Sequence, residues 1–343
     1  MNSPRPVLTG GRRRRRAGPL IGLGAFAVVT VAAIAVAVVV LADRHSSSHR
    51  PESATATSPK PAQLPRKQPK ALVPAGGGGV DRRYAVDLSK PDLVSLRFRK
   101  APRAGLLFDV RSGQVLWRRY PTRRLPIASL TKMMTALVVV EQKGPRDRVA
   151  ITRQAVKAPG SAVGVLPKGK TVQLETLLNG LLLVSGNDAA IALAQHIGGS
   201  VKTFVLAMNQ RAAQLGLSCT HFTTPNGLQD RGNYSCPADL AALARADLAH
   251  HRIRRIARRD HAVLRFPIKG GHLFLYNNNP LIRAHYPGVT GLKTGYTDKS
   301  GRSIVTTVKH GRLELGVVLL HSEDPSTQAR KLFSRGFRVL RAG

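Results

Sequence analysis

The stretch IASLTKMMTAL, Ile127 to Leu137, places a hydroxyl at Ser129 and an amine at Lys132, three positions apart at what reads as the first turn of an apolar helix. Residues three apart on a helix share a face, so Lys132 can reach the Ser129 hydroxyl. Serine is a poor nucleophile until a neighbouring base takes its proton. A lysine buried in apolar surroundings loses its preference for the charged form and becomes a competent base. Ser129 at a helix start also offers its backbone N–H to a developing oxyanion. Taken alone, Ser-x-x-Lys equally fits an N-cap serine followed by a snorkelling lysine.

Two further groups of residues have the same double character. Ser185-Gly186-Asn187 falls between two apolar helical runs. Ser185 suits proton relay to a leaving group, and the Asn187 amide suits holding a substrate amide while keeping Lys132 in place; Ser/Gly/Asn is also ordinary helix-turn chemistry. GLKTGYT, Gly291 to Thr297, reads as a strand. There Lys293 is expected as a fixed cation, Thr294 as a donor to a carboxylate, and Gly295 as room for a substrate backbone. A basic strand with a bulge glycine is the plain alternative. Each group would be outweighed by its plain alternative if it stood alone; the order and spacing of the three change that weighing.

The elements that must position them can be read along the chain. AGLLFDVRSGQVLWRR is a β-hairpin turning at Ser112-Gly113. After the Ser129 helix, LETLLNGLLLVSGNDAAIALAQHIGG reads as helix, polar loop and helix, VKTFVLAMNQRAAQLGL as a third and DLAALARADLAHH as a fourth. Between Gly288 and Leu320 the pattern returns to strands, and PSTQARKLFSRGFRVL is a closing helix. Strands at both ends with helices between them predict an α+β domain: one antiparallel sheet flanked by helices, a helical lobe, and a cleft between.

The rest of the chain reads as attachments. Of 343 residues, 43% are apolar, and the formal charge is +36. Aromatics are only 5% and basic residues are spread throughout, so nucleic acid is not the expected partner; a membrane face or an anionic wall polymer fits better. Residues 1–19, with five consecutive arginines, read as a basic cytoplasmic tail. The uncharged run Leu20 to Ala42 is long enough, at about 1.5 Å per residue, to span the bilayer as an uncleaved signal anchor. The positive-inside rule then puts everything after it outside the cytoplasmic membrane. Cleavage after Ala35-Val36-Ala37 is the alternative and would release a secreted product. Residues 43–100, rich in Pro, Ser, Lys and Gly, read as a flexible linker with a typical reach of about 40 Å. The domain proper is expected over 101–343. The two cysteines, Cys219 and Cys236, are close enough in sequence to pair outside the cell, a bond worth about 3 kcal/mol in the chain-entropy model; two small buried thiols are the alternative.

Ser-x-x-Lys, then Ser-Gly-Asn, then Lys-Thr-Gly is the motif set of penicillin-binding proteins and serine β-lactamases. The sequence more closely resembles the low-molecular-mass penicillin-binding proteins, the D-alanyl-D-alanine carboxypeptidases of serine peptidase family S11. The likeness runs from about Ala104 to Leu340, through PIASLTKMMTAL, GLLLVSGNDAAIALAQHIGGS, FTTPNGL, YSCPADLA and GVTGLKTGYTDKSG. It implies the DD-peptidase fold, with Ser129 as acylated nucleophile and Lys132 as its base. Ser185 and Asn187 would serve relay and positioning, and Lys293 and Thr294 would hold the terminal carboxylate. The N–H groups of Ser129 and Tyr296 would form the oxyanion hole. The implied reaction removes the last D-alanine of a peptidoglycan stem pentapeptide, and β-lactam antibiotics would be covalent inhibitors. No metal or organic cofactor is implied, and the histidines, including a solvated His250-His251 pair, lack metal-ligand spacing.

Two departures from the family bear on detail. Many relatives carry a carboxylate-binding arginine just before the last helix, and HSEDPS, His321 to Ser326, has none. Many also continue into a β-rich domain with a membrane-binding helix, so here the N-terminal segment is expected to anchor. Among rival readings, ETLLN, Glu175 to Asn179, mimics the loop that supplies a deacylating base in class A β-lactamases. It precedes Ser185 rather than following it, so Glu175 is expected to be a solvated helix residue. A D,D-endopeptidase would share every motif. A non-catalytic wall-binding scaffold would have no need of the Ser129/Lys132 pair.

Overall fold

The computed structural model describes residues 79–228 and 231–342. The expected tail, anchor and the linker up to residue 78 lie outside the described residues. Among the described residues no single helix is long and apolar enough to cross a membrane.

Following the chain, β1 (Ala104–Asp109) and β2 (Val115–Arg119) form the expected hairpin. Strand β3 (Leu125–Pro126) leads through a 3-10 turn at Ala128–Thr131 into α1 (Lys132–Gln142). Then come β4 (Arg148–Ala150), α2 (Arg153–Val156), β5 (Thr171–Gln173) and the lobe helices α3 (Leu174–Leu182), α4 (Asn187–Gly198) and α5 (Val201–Gln214). Strand β6 (Tyr234–Ser235), α6 (Pro237–Ala249) and α7 (His251–Ala257) precede a two-stranded ribbon, β7 (His261–Arg265) and β8 (His272–Tyr276). The chain finishes with α8 (Pro280–Arg283), β9 (Val289–Gly295), β10 (Ser303–His310), β11 (Leu313–Leu320) and α9 (Pro325–Ala342).

The main sheet has the order β2-β1-β11-β10-β9, antiparallel throughout. The first and last strands of the domain therefore meet at its centre, with Ala104 opposite Leu320 and Asp109 opposite Leu315. Both faces of β1 are covered, which explains the unbroken apolar run. Leu106 and Phe108 join the core shared with the helical lobe, while Leu107 joins the core under α9; successive strand side chains point to opposite faces. Helix α9 buries Ala329, Leu332, Phe333, Gly336 and Phe337, the spacing of one helical face. Its arginines and Lys331 lie on the rest of its surface.

The linker expectation fails for its last stretch. Residues 79–100 pack along β2: Val94 N–H donates to Leu116 O at 2.8 Å, Asp87 N–H to Gly113 O at 2.9 Å, and the Trp117 indole to Leu96 O at 3.1 Å. Val94 is buried, and Leu96 and Phe98 pack on the α9-side core. The Pro, Lys and Ser around them masked an alternating triplet, Val94, Leu96 and Phe98, that covers the edge of the sheet. The β7–β8 ribbon also falls outside the elements read from sequence, although His261–Arg265 and His272–Tyr276 alternate buried and exposed residues as a one-sided ribbon should.

Candidate functional site

Ser129 sits in the 3-10 turn between β3 and α1. The residue before it, Ala128, has φ 46°, a left-handed conformation rare for a side-chain-bearing residue. The turn is held there from two sides. A Cβ on Gly227 would lie 1.9 Å from Ala128 O, and one on Gly295 would lie 2.8 Å from Ile127 O and 3.2 Å from Ser129 N. Gly295 thus leaves room for the nucleophile's own turn, a role beyond the substrate approach expected of it.

Lys132 opens α1 and is wholly buried. Its Nζ lies 2.9 Å from Ser129 Oγ, 2.7 Å from Asn187 Oδ1 and 2.8 Å from Asn226 O. Burial pushes its pKa well below the usual lysine value, the positive charge of Lys293 adds to that, and Asp188 opposes it. A neutral amine has two N–H donors and one lone pair. In that form, with Asn187 Oδ1 and Asn226 O taking the donors, the lone pair would face the Ser129 hydroxyl. The arrangement is that of a base already oriented on its nucleophile.

The loop between α3 and α4 supplies the next two residues. Ser185 is buried with φ 63°, and its hydroxyl has no hydrogen-bond partner among the described residues. Asn187 is divided: Oδ1 accepts from Lys132, while Nδ2 donates to Pro159 O at 2.6 Å. One of its two N–H donors is therefore tied to the segment that follows Pro159. Asp188 fastens the same segment, accepting from Val163 N at 2.9 Å and Gly164 N at 3.0 Å.

Lys293 stands on β9, buried, with Nζ donating to Thr294 O at 2.8 Å. Burial lowers its pKa to about 7. Thr294 is half-buried, and Tyr296 is 63% exposed just past the end of the strand. Strand β9 packs against the Ser129 turn, so the three motifs converge on one place.

Sequence reasoning gave no role to Asn226. Its contribution is a main-chain carbonyl, set by a Pro225-Asn226-Gly227 turn that Thr135 Oγ1 fastens by donating to Pro225 O at 2.6 Å; the Pro-Asn-Gly triplet is the signal that could have found the turn. Cys219 and Cys236 are joined as a disulfide. Glu175 is not solvated: Arg252 and Arg255 on α7 bind its carboxylate at 2.9 and 2.5 Å. His250 is not fully solvated either, standing 3.6 Å from Glu141. A cavity of about 780 Å³ between the β4–β5 and β7–β8 pairs, with Arg148, Val263 and His272 in its wall, is lined by none of the residues of the three motifs. The chemistry lies with Ser129 and Lys132 instead.

Comparison with known proteins agrees with this geometry. Residues 98–324 match the S11 peptidase family, described as D-alanyl-D-alanine carboxypeptidase. The D-alanyl-D-alanine carboxypeptidase DacF of Bacillus subtilis is 33% identical over 243 residues, covering 68% of this chain and 62% of that protein. The D-alanyl-D-alanine carboxypeptidase DacB2 of Mycobacterium tuberculosis is 36% identical over 242 residues, covering 68% of this chain and 81% of that protein. Among solved structures, a mutant of the Streptomyces K15 DD-transpeptidase superposes with a TM-score of 0.66 at 28% identity, over 71% of this chain and all of that one.

Proposed function

Because the chain belongs to the S11 family of D-alanyl-D-alanine carboxypeptidases, the low-molecular-mass penicillin-binding proteins, we propose that it is a serine carboxypeptidase removing the terminal D-alanine from peptidoglycan stem pentapeptides. The observation that carries this reading is the buried Lys132 amine, held by Asn187 Oδ1 and Asn226 O with Ser129 Oγ as its third neighbour.

In the proposed mechanism, Ser129 Oγ attacks the carbonyl carbon between the two D-alanines as its proton passes to the Lys132 lone pair. The N–H groups of Ser129 and Tyr296 receive the oxyanion. The C–N bond then breaks, and the leaving amine takes a proton through Lys132 and the unpartnered Ser185 hydroxyl. Water hydrolyses the resulting ester with Lys132 again as base. Protonated Lys293 and the Thr294 hydroxyl hold the terminal carboxylate. A β-lactam antibiotic would enter by the same attack and remain on Ser129. Glu175, bound by two arginines, is unsuited to deacylation as in a class A β-lactamase.

The reading includes a single-pass anchor over residues 20–42 with the catalytic unit outside the cytoplasmic membrane. The Cys219–Cys236 bond supports that compartment, since disulfides persist where thiols are not kept reduced. The basic chain beyond the anchor would attract anionic wall polymer by charge, an attraction expected to vanish at high salt.

The test is intact-mass spectrometry with benzylpenicillin, beside Ser129→Ala, followed by D-alanine release from a pentapeptide. A single long-lived adduct, absent in the variant, with D-alanine release is the expected result. No adduct on the folded protein would overturn the reading, and an adduct that clears within seconds would turn it toward a β-lactamase.

A further inference from the structure

The disulfide lies away from the nucleophile in sequence, yet it closes the base of the loop that carries Asn226. Cys219 is 6% exposed and Cys236 fully buried. From there toward the loop's tip, cross-links follow one after another. Asp239 Oδ2 accepts from Cys219 N at 2.8 Å and from Thr220 Oγ1 at 2.7 Å, and the Thr220 and Ser235 hydroxyls are 2.8 Å apart. His221 and Tyr234 exchange both backbone hydrogen bonds, at 3.0 and 3.1 Å, and stack their rings. Asn233 Oδ1 accepts from Thr223 N at 3.0 Å, and its Nδ2 donates to Thr224 Oγ1 at 3.1 Å. Thr224 Oγ1 in turn accepts from Gly227 N at 3.0 Å. The last connection is Asn226 O to Lys132 Nζ.

The same loop also grips the nucleophile's strand. Tyr234–Ser235 is β6, paired with Leu125–Pro126 of β3, which runs directly into the Ser129 turn. The covalent bond therefore closes a loop that touches both the strand leading to Ser129 and the amine of Lys132.

We propose that the Cys219–Cys236 disulfide is a positioning element for the general base, holding the Asn226 carbonyl against Lys132. Without it the hydrogen-bonded ladder must close the loop alone, and the cover over the Lys132 amine loosens. This inference rests on the peptidase reading. Its consequence is specific. Water that reaches Nζ restores part of the lysine's normal basicity, because burial is the main cause of its depression. The acid limb of acylation then moves to higher pH, as well as the rate falling. Breaking the bond with a phosphine or a dithiol transfers two electrons and two protons, giving two thiols; replacing both cysteines gives the same uncrosslinked loop without a reductant.

The experiment measures benzylpenicillin acylation against pH for the full chain, for Cys219→Ala/Cys236→Ala, and for Thr224→Val. The third variant keeps the disulfide and removes the last hydroxyl before Gly227. The expected result is a fall of about tenfold in acylation rate for the double variant, with the acid limb raised by about half a pH unit or more in both variants. A lower rate with an unmoved acid limb in the double variant would reduce the disulfide to a stability element and overturn the proposal, and an unmoved limb in Thr224→Val would break the link from the bond to Lys132 and do the same. An unchanged rate and profile would do the same. Should the double variant not fold, the same measurement on the full chain with its disulfide reduced by a phosphine decides by the same criterion. Absence of acylation in the unaltered protein would instead reject the peptidase reading, and this proposal would fall with it.

Discussion

Lys132 and Lys293 are both buried lysines with lowered pKa values, one at the start of helix α1 and one on strand β9. Lys132 has three oxygen neighbours from three separate segments. Among the described residues Lys293 has one acceptor, the carbonyl of the next residue in its own strand. Burial alone thus does not assign a role. The number and origin of the acceptors does: an amine whose donors are occupied by the protein directs its lone pair at a protein hydroxyl, whereas an ammonium with donors to spare suits an incoming anion.

The largest expected effect tests the first half of that contrast. Lys132→Met should lower benzylpenicillin acylation about a thousandfold, the scale of a lost general base, without unfolding the protein by circular dichroism. Loss of less than tenfold would mean that another group takes the proton. Next, Lys293→Met should reduce kcat/KM for a carboxylate-bearing substrate about 30-fold, from the loss of about 2 kcal/mol of charged hydrogen bonding. The defect should shrink when the carboxylate is replaced by an amide. An equal loss on both ligands would place Lys293 in the chemical step.

Acidity should separate the two lysines further, because they need opposite forms. Acylation should rise with pH as Lys132 becomes neutral, while affinity for a carboxylate should fall as pH rises through about 7 and Lys293 loses its proton. Both act on stability with one sign. Between about 7 and 10.5 the unfolded chain binds more protons at Lys293 than the folded one, so stability rises with pH across that window and is lost as pH falls toward 7. Denaturant unfolding should show a flatter rise over the same window in Lys293→Met.

Gly295→Ala comes next in size. The added methyl would press on Ile127 O and Ser129 N, so acylation should fall about tenfold and stability by about 1–3 kcal/mol. Glu175→Gln is the smallest. It weakens the contacts to Arg252 and Arg255 and should leave acylation and adduct lifetime within about twofold, since the buried-site chemistry of this fold does not pass through it. A longer-lived adduct in that variant would restore the β-lactamase reading.

The parts of the site that depend on side-chain type and spacing were legible in the sequence: the Ser129/Lys132 pair, Ser185-Gly186-Asn187, and Lys293 on a strand near the C-terminal end. The sheet was legible because its strands are long apolar runs bounded by turns. Asn226 was not, because any residue has a carbonyl and only the fold decides where it points. The contact of Gly295 with the Ser129 turn was not legible for a related reason: a missing side chain does not say which neighbour occupies its space. Residues 79–100 were misread because three apolar positions spaced two apart are diluted in a window full of Pro, Ser and Lys. Glu175 was misread because its arginine partners arrive from α7, some 80 residues downstream.

The pairing of β1 with β11 has a consequence for the chain's manufacture. Ser129 and Lys132 emerge from the ribosome well before β11, the strand that completes β1's pairing. The sheet cannot close progressively from its beginning, and contacts so distant along the chain form slowly. A prematurely terminated product carries the reactive serine and its base without the central strand beside them. On the proposed reading, hydrolysis must therefore wait until β11 has been made.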